Sequence, residues 1–114
     1  MILNAGLSPA WQQILVLDQF RVGEVNRARE SAWCASGKVL NVGRALKCLL
    51  CESTTISTVG GRTGQQIREE FQADEIPAIW VETESPTRVC TTILDQNQNT
   101  TTELVEETAA ISFA

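Results

Sequence analysis

Between residues 38 and 83 the hydrophobic period of the chain switches repeatedly between that of a helix and that of a strand. Val39, Leu40, Val42, Leu46, Leu49 and Leu50 predict one apolar stripe on a helix over about 38–51. Thr54-Thr55-Ile56-Ser57-Thr58-Val59-Gly60 is β-branched and ends in glycine, which predicts a buried strand. A glycine-rich turn at 60–64 then opens a second helix within 60–75, with Ile67, Phe71 and Ala73 on its inner side. Pro77 ends that helix, and 78–83 reads as a short strand. Helix, strand, helix, strand after a first strand at 1–8 predicts right-handed βαβ units and a parallel sheet.

Two further β regions have no place in such a sheet. Residues 12–20 read as an apolar strand, 22–25 as a turn and 26–33 as an exposed strand. Residues 87–95 and 100–107 flank Gln96-Asn97-Gln98-Asn99 and read as a hairpin. These segments predict an inserted flap. With 114 residues the whole is expected to be one domain.

Net charge is −5, with no histidine. That argues against a nucleic-acid or anionic-membrane surface, which needs clustered Lys and Arg. No stretch approaches the ~18 apolar residues of a membrane span. The N-terminus has neither a basic segment nor a long apolar core, so no signal peptide is expected and the chain reads as cytoplasmic. Cys34, Cys48, Cys51 and Cys90 are then expected as reduced, buried thiols. Cys48 and Cys51 are spaced to share a helix face, but a structural zinc site wants four ligands, commonly in two close pairs.

Ser36-Gly37-Lys38 before the first helix raises the question of a bound anion. Ser36 is positioned to cap that helix. The free amides of its first turn, its dipole and Lys38 are suited to hold a negative group. The plainer alternative is a capped helix with an exposed lysine. A Walker A loop is excluded, because its first glycine falls on Ala32 and its Ser or Thr on Val39. A GxGxxG turn is absent as well. Gly60, Gly61 and Gly64 read as a tight strand-to-helix turn.

The ordered set "LSPAWQQILVLDQFRVGEVNRARES", "GKVLNVGRALKCL", "TVGGRTGQQI", "PTRVCTTI" and "NTTTELVEE" resembles the phosphofructokinase-B family, in particular its fructose-1-phosphate and tagatose-6-phosphate kinase branch. The resemblance implies an α/β, ribokinase-like, doubly wound parallel sheet with a β-sheet lid, here at about 12–34 and 87–107. It implies magnesium-dependent phosphoryl transfer from ATP to a sugar or sugar phosphate, and often a homodimer paired through the lid. It places Gly37, Lys38, Asn41 and Arg88 at the acceptor site, with Arg27 as a second cation there. A guanidinium fork suits a phosphate bidentately.

Some positions depart from the family pattern. Gln12 replaces an aspartate that grips sugar hydroxyls, Val39 replaces a glycine of the acceptor turn, and Cys51 stands where a glycine commonly ends the helix. Glu107-Thr108-Ala109 stands in place of Pro-Gly-Pro. The resemblance also implies that the catalytic aspartate, the anion hole and the nucleotide pocket belong to a part of the family chain these residues do not match. The expectation is therefore an N-terminal portion of a sugar-phosphate kinase that binds an acceptor but is inactive alone. The alternative is a truncated, non-catalytic remnant that pairs through its lid. Trp11, Trp33 and Trp80 are candidates to stack on sugar rings, with lid packing or dimer contact the alternative for Trp11 and Trp33, and Glu103, Glu106 and Glu107 are assigned to a solvated strand end.

Overall fold

A computed structural model describes residues 1–112. Seven strands and two helices follow one another as β1 (Ile2–Gly6), β2 (Ala10–Leu17), β3 (Glu30–Ser36), α1 (Lys38–Cys48), β4 (Ser53–Val59), α2 (Gly61–Ala73), β5 (Ala78–Glu82), β6 (Val89–Asp95) and β7 (Thr100–Val105). They form two separate sheets. One is parallel, in the order β1-β4-β5, and the other runs β3-β2-β6-β7. The flap segments are thus a sheet of their own. It is mixed: β2 pairs antiparallel with β3 but parallel with β6.

The core lies where α1 and α2 cover one face of the parallel sheet. Ala35, Val39, Leu40, Val59, Ile67, Phe71 and Ile76 form it, with Trp11 and Trp80 packed alongside. Small residues let the layers close. A Cβ on Gly43 would run into the Thr55 hydroxyl, so α1 sits almost directly on β4. Phe71 meets Trp80 edge-to-face at 5.3 Å between ring centroids, a geometry aromatic pairs favour.

Several boundaries differ from expectation. β1 stops at Gly6, β2 starts earlier, at Ala10, and ends at Leu17, and β3 runs later, over Glu30–Ser36, so that Ala10 pairs with Ser36. α1 stops at Cys48 in a Schellman-type turn, with the Cys51 N–H on the Leu46 carbonyl and the Leu50 N–H on the Lys47 carbonyl. The left-handed position of that turn is Leu50, at φ 58°, and not Cys51. Leu49 and Leu50 are therefore outside the helix and exposed. Ala73 is exposed too, and Ile76, beyond the end of α2, takes the inner place.

Candidate functional site

Gly37 is the pivot between the lid and α1. Its φ of 92° and ψ of 154° lie in a region essentially reserved for glycine, and a Cβ there would come 2.7 Å from the Ser8 carbonyl oxygen. The turn can pack against the β1–β2 connection only because this residue has no side chain.

Ser36 does not cap α1. It closes the β2–β3 ladder opposite Ala10 and is buried, so Gly37 becomes the N-cap and no side chain bonds the first-turn amides. Lys38 opens the helix, is exposed, and makes no ion pair among the described residues. Uncapped amides beside a lysine form an electropositive end.

That end faces an open cleft of about 570 Å³ at the carboxyl end of β1. Asn4, Gly6 and Ser8 line one side, Lys38 and Val42 another, and Arg88 with Glu107 a third. Lys38 and Arg88 are thus brought to one cavity from opposite ends of the sequence. Arg88 is anchored there. Its Nε donates to the Pro9 carbonyl at 3.3 Å, Nη1 to Glu106 O at 3.2 Å and Nη2 to Ser8 O at 3.3 Å. Two of the five guanidinium N–H donors remain, one on each terminal nitrogen. The Glu107 carboxylate in the same lining opposes an anion.

The other predicted residues are more scattered. Asn41 lies one turn beyond Lys38 and does not line the cleft. Its Oδ1 accepts a 3.2 Å bond from Arg44 Nη1, which leaves its amide donors free. Gln12 donates to the Thr92 hydroxyl, which in turn donates to the Glu103 carboxylate, a chain across three lid strands. Arg27 lies beyond the Val16–Glu30 end of the β2–β3 ladder, roughly 20 Å along the lid from Gly37. Within one chain it is not in the site. Val39 is buried against Gly6 and contributes to the cleft lining.

Three supporting residues escaped the sequence reading. Asn4 Nδ2 donates to the Val39 carbonyl at 2.6 Å and to Thr55 Oγ1 at 3.3 Å, joining β1 to the first turn of α1. Arg44 Nη2 reaches Glu70 Oε2 at 2.8 Å and the Ala35 carbonyl at 2.7 Å, while Glu70 Oε2 also accepts the Ala35 N–H at 3.0 Å. This clamp ties α1, α2 and β3 together behind Asn41. Burial and the Glu70 carboxylate push the nearby Cys34 thiol up, with Arg44 opposing. The only sequence signal was the three-residue step from Asn41 to Arg44.

The second glycine turn is satisfied internally. The Gly60 N–H bonds the Thr87 hydroxyl at 3.0 Å, and the Thr63 hydroxyl bonds the Thr87 carbonyl at 2.6 Å. The cysteines correct the expectation of buried thiols. All four are free, but Cys48 and Cys51 are exposed, and only Cys90 is fully buried. Trp11 and Trp33 stack on each other at 5.9 Å. Among the described residues no three Cys, Asp or Glu groups converge as metal ligands, and no helix is long and apolar enough to cross a membrane.

Residues 12–113 match the pfkB family carbohydrate kinase profile, and the chain belongs to that family. It is 33% identical over 113 residues to a tagatose-6-phosphate kinase of Staphylococcus epidermidis, covering 99% of this chain and 36% of that protein. It is 30% identical over 89 residues to a 1-phosphofructokinase of Bacillus subtilis, covering 78% of this chain and 29% of that protein. The fold superimposes on phosphofructokinase-2 from Escherichia coli, solved in complex with fructose-6-phosphate, with a TM-score of 0.91 at 23% identity, over 96% of this chain and 36% of that one. A possible 1-phosphofructokinase from Thermotoga maritima gives 0.87 at 25% identity, over 96% of this chain and 36% of that one. The chain spans about a third of the length of these relatives.

Proposed function

We propose that this chain carries the acceptor-anion half of a sugar-phosphate kinase site, for a fructose- or tagatose-phosphate-like ligand. The observation that carries this reading is the shared lining of one cleft by Lys38 and Arg88, beside the uncapped amides of α1. Lys38 supplies a mobile point charge and Arg88 a fixed fork with two donors to spare. Asn41, with its carbonyl held by Arg44, offers amide donors to a sugar oxygen. Gln12 offers neutral hydrogen bonding from the lid in place of a carboxylate. Among the described residues no carboxylate matches the family's base toward an acceptor hydroxyl, so the reading expects no phosphoryl transfer from these residues alone. ATP with magnesium would supply that group in a complete family domain.

Isothermal titration with fructose 1-phosphate, fructose 6-phosphate and tagatose 6-phosphate tests the reading, with unphosphorylated fructose as control. Binding of at least one phosphate ester at about 1 mM, and none of fructose, is expected. Equal, negligible heat from all four would remove it.

A second reading, a non-catalytic assembly protein that pairs through the lid, is favoured by the lid's outer strands. Every residue of β7 is exposed, including Leu104 and Val105, and Trp33 at the other edge is 45% exposed. Sedimentation at micromolar concentration distinguishes the two, because this reading needs a dimer that Trp33→Glu or Leu104→Glu dissociates.

A further inference from the structure

Gln12, Thr92 and Glu103 form a hydrogen-bonded chain across the lid, and its direction is fixed by chemistry. Gln12 Nε2 donates to the Thr92 hydroxyl, and Thr92 Oγ1 donates to Glu103, 2.9 Å from Oε2 and 3.1 Å from Oε1. A carboxylate only accepts, and a hydroxyl has one hydrogen to give. Glu103 takes that hydrogen, so Thr92 meets Gln12 as an acceptor. The two ends of a glutamine amide are alike in shape and differ in what they bond. Facing an acceptor, Gln12 turns its nitrogen to Thr92 and its Oε1 away.

That oxygen is open. Oε1 accepts no hydrogen bond among the described residues, and no side-chain polar atom among them is buried without a partner. It is therefore accessible to solvent or to a ligand. Gln12 itself is half-buried and is flanked at its own level by Cys34 on β3 and Cys90 on β6.

The register sets its distance from the cleft. Trp11 and Ala35 turn to the core, so Gln12 takes the opposite face of the lid. Arg88, Cys90 and Thr92 alternate onto that same face from the neighbouring strand. Arg88 lines the cleft at the base of the lid. Gln12, level with Cys90, stands about 8 Å from Arg88, one pleat along and one strand across. A sugar ring joined to a phosphate spans that step.

We propose that Glu103 and Thr92 are positioning residues, which fix Gln12 as the hydrogen-bond acceptor for a hydroxyl of a ligand whose phosphate lies at Lys38 and Arg88. Such a ligand carries a hydroxyl donor one sugar ring away from its phosphate, and an anion without that hydroxyl binds less tightly. An amide suits position 12 better than a carboxylate, which would compete with Glu103 for the single Thr92 hydrogen. The inference rests on the anion reading of the cleft for its ligand, but the orientation of Gln12 is measured without one.

The first measurement is the side-chain amide NMR signal of Gln12 in the full chain, identified by its loss in Gln12→Leu. One of its hydrogens should exchange slowly with water in the parent and in Thr92→Ser, and neither should in Thr92→Val. The second is calorimetric titration with fructose 6-phosphate and with inorganic phosphate. The ratio of the two affinities should fall about tenfold in Glu103→Lys, whose ammonium only donates and so drives the Thr92 hydrogen onto Gln12 Oε1. It should fall by less in Thr92→Val, which frees the amide without reversing it, and hold in Thr92→Ser. A fast-exchanging Gln12 amide in the parent, or a ratio unchanged in both Glu103→Lys and Thr92→Val, would overturn the proposal. So would a parent that binds inorganic phosphate as tightly as the ester. A slow amide that Thr92→Val releases, with no heat from either ligand, would uphold the orientation and reject the anion reading instead.

Discussion

Lys38 and Arg88 line the same cleft, yet they are held there by opposite means. Lys38 is exposed and unpaired among the described residues, whereas Arg88 is tied to three backbone carbonyls. The difference separates binding from stability. Lys38→Met should leave stability within about 0.5 kcal/mol and weaken phosphate-ester binding about tenfold or more, the loss of one charge-assisted hydrogen bond. Arg88→Met should weaken binding and also destabilise by about 1–3 kcal/mol, since the Ser8, Pro9 and Glu106 carbonyls lose their donor. Urea unfolding beside calorimetric titration checks both.

Two backbone positions should respond in opposite directions. Gly37→Ala forces a Cβ against the Ser8 carbonyl at a φ of 92°, and should cost about 1–3 kcal/mol. Leu50→Gly relieves a left-handed leucine that is 91% exposed, and should stabilise by about 1 kcal/mol. Thermal unfolding of both variants against the parent decides the signs.

Asp95 organises the far end of the lid. Its carboxylate accepts the Phe20 N–H at 3.0 Å and the Gln98 N–H at 2.9 Å, and these bonds hold its pKa below the ordinary range, Phe20 first. A depressed native pKa contributes stability at neutral pH, and that contribution is lost as pH falls below about 4 toward the native value. Asp95→Asn should therefore be less stable than the parent at pH 7, with the gap narrowing at about pH 3. Unfolding midpoints across that range measure it.

The cysteines divide by exposure. Cys48 and Cys51 should react with a thiol reagent in the native state, while Cys90 and Cys34 should react slowly, Cys34 because its thiol is both partly buried and pushed up. Mass spectrometry of briefly alkylated protein reads this directly. Full alkylation of Cys90 before unfolding would contradict the lid packing.

The alternation of periods along 38–83 made the βαβα order legible, because α1, β4 and α2 each bury one periodic stripe and β5 half-buries Ala78 and Trp80. The lid was legible as strands foreign to that order, but not in its pairing, since the parallel β2–β6 ladder joins segments far apart in the chain. Lys38 was legible locally, as a lysine opening a helix, whereas Arg88 was visible only through resemblance. Asn4, Arg44 and Glu70 were not visible, because each acts across elements whose packing no local pattern encodes. Ser36 was misread for the reverse reason. A good local cap was overridden by the ladder that pairs it with Ala10. Cys48, on the outward side of the last turn of α1, and Cys51, in the turn beyond it, look internal by composition but are exposed.

The most direct measurement is a backbone amide NMR titration of the chain with fructose 6-phosphate and tagatose 6-phosphate, repeated on Lys38→Met. The account predicts saturable shifts clustered at Gly6, Ser8, Gly37, Lys38 and Arg88, and their loss in the variant. Shifts absent at about 20 mM ligand, or clustered at the β6–β7 turn and equal in both proteins, would contradict it.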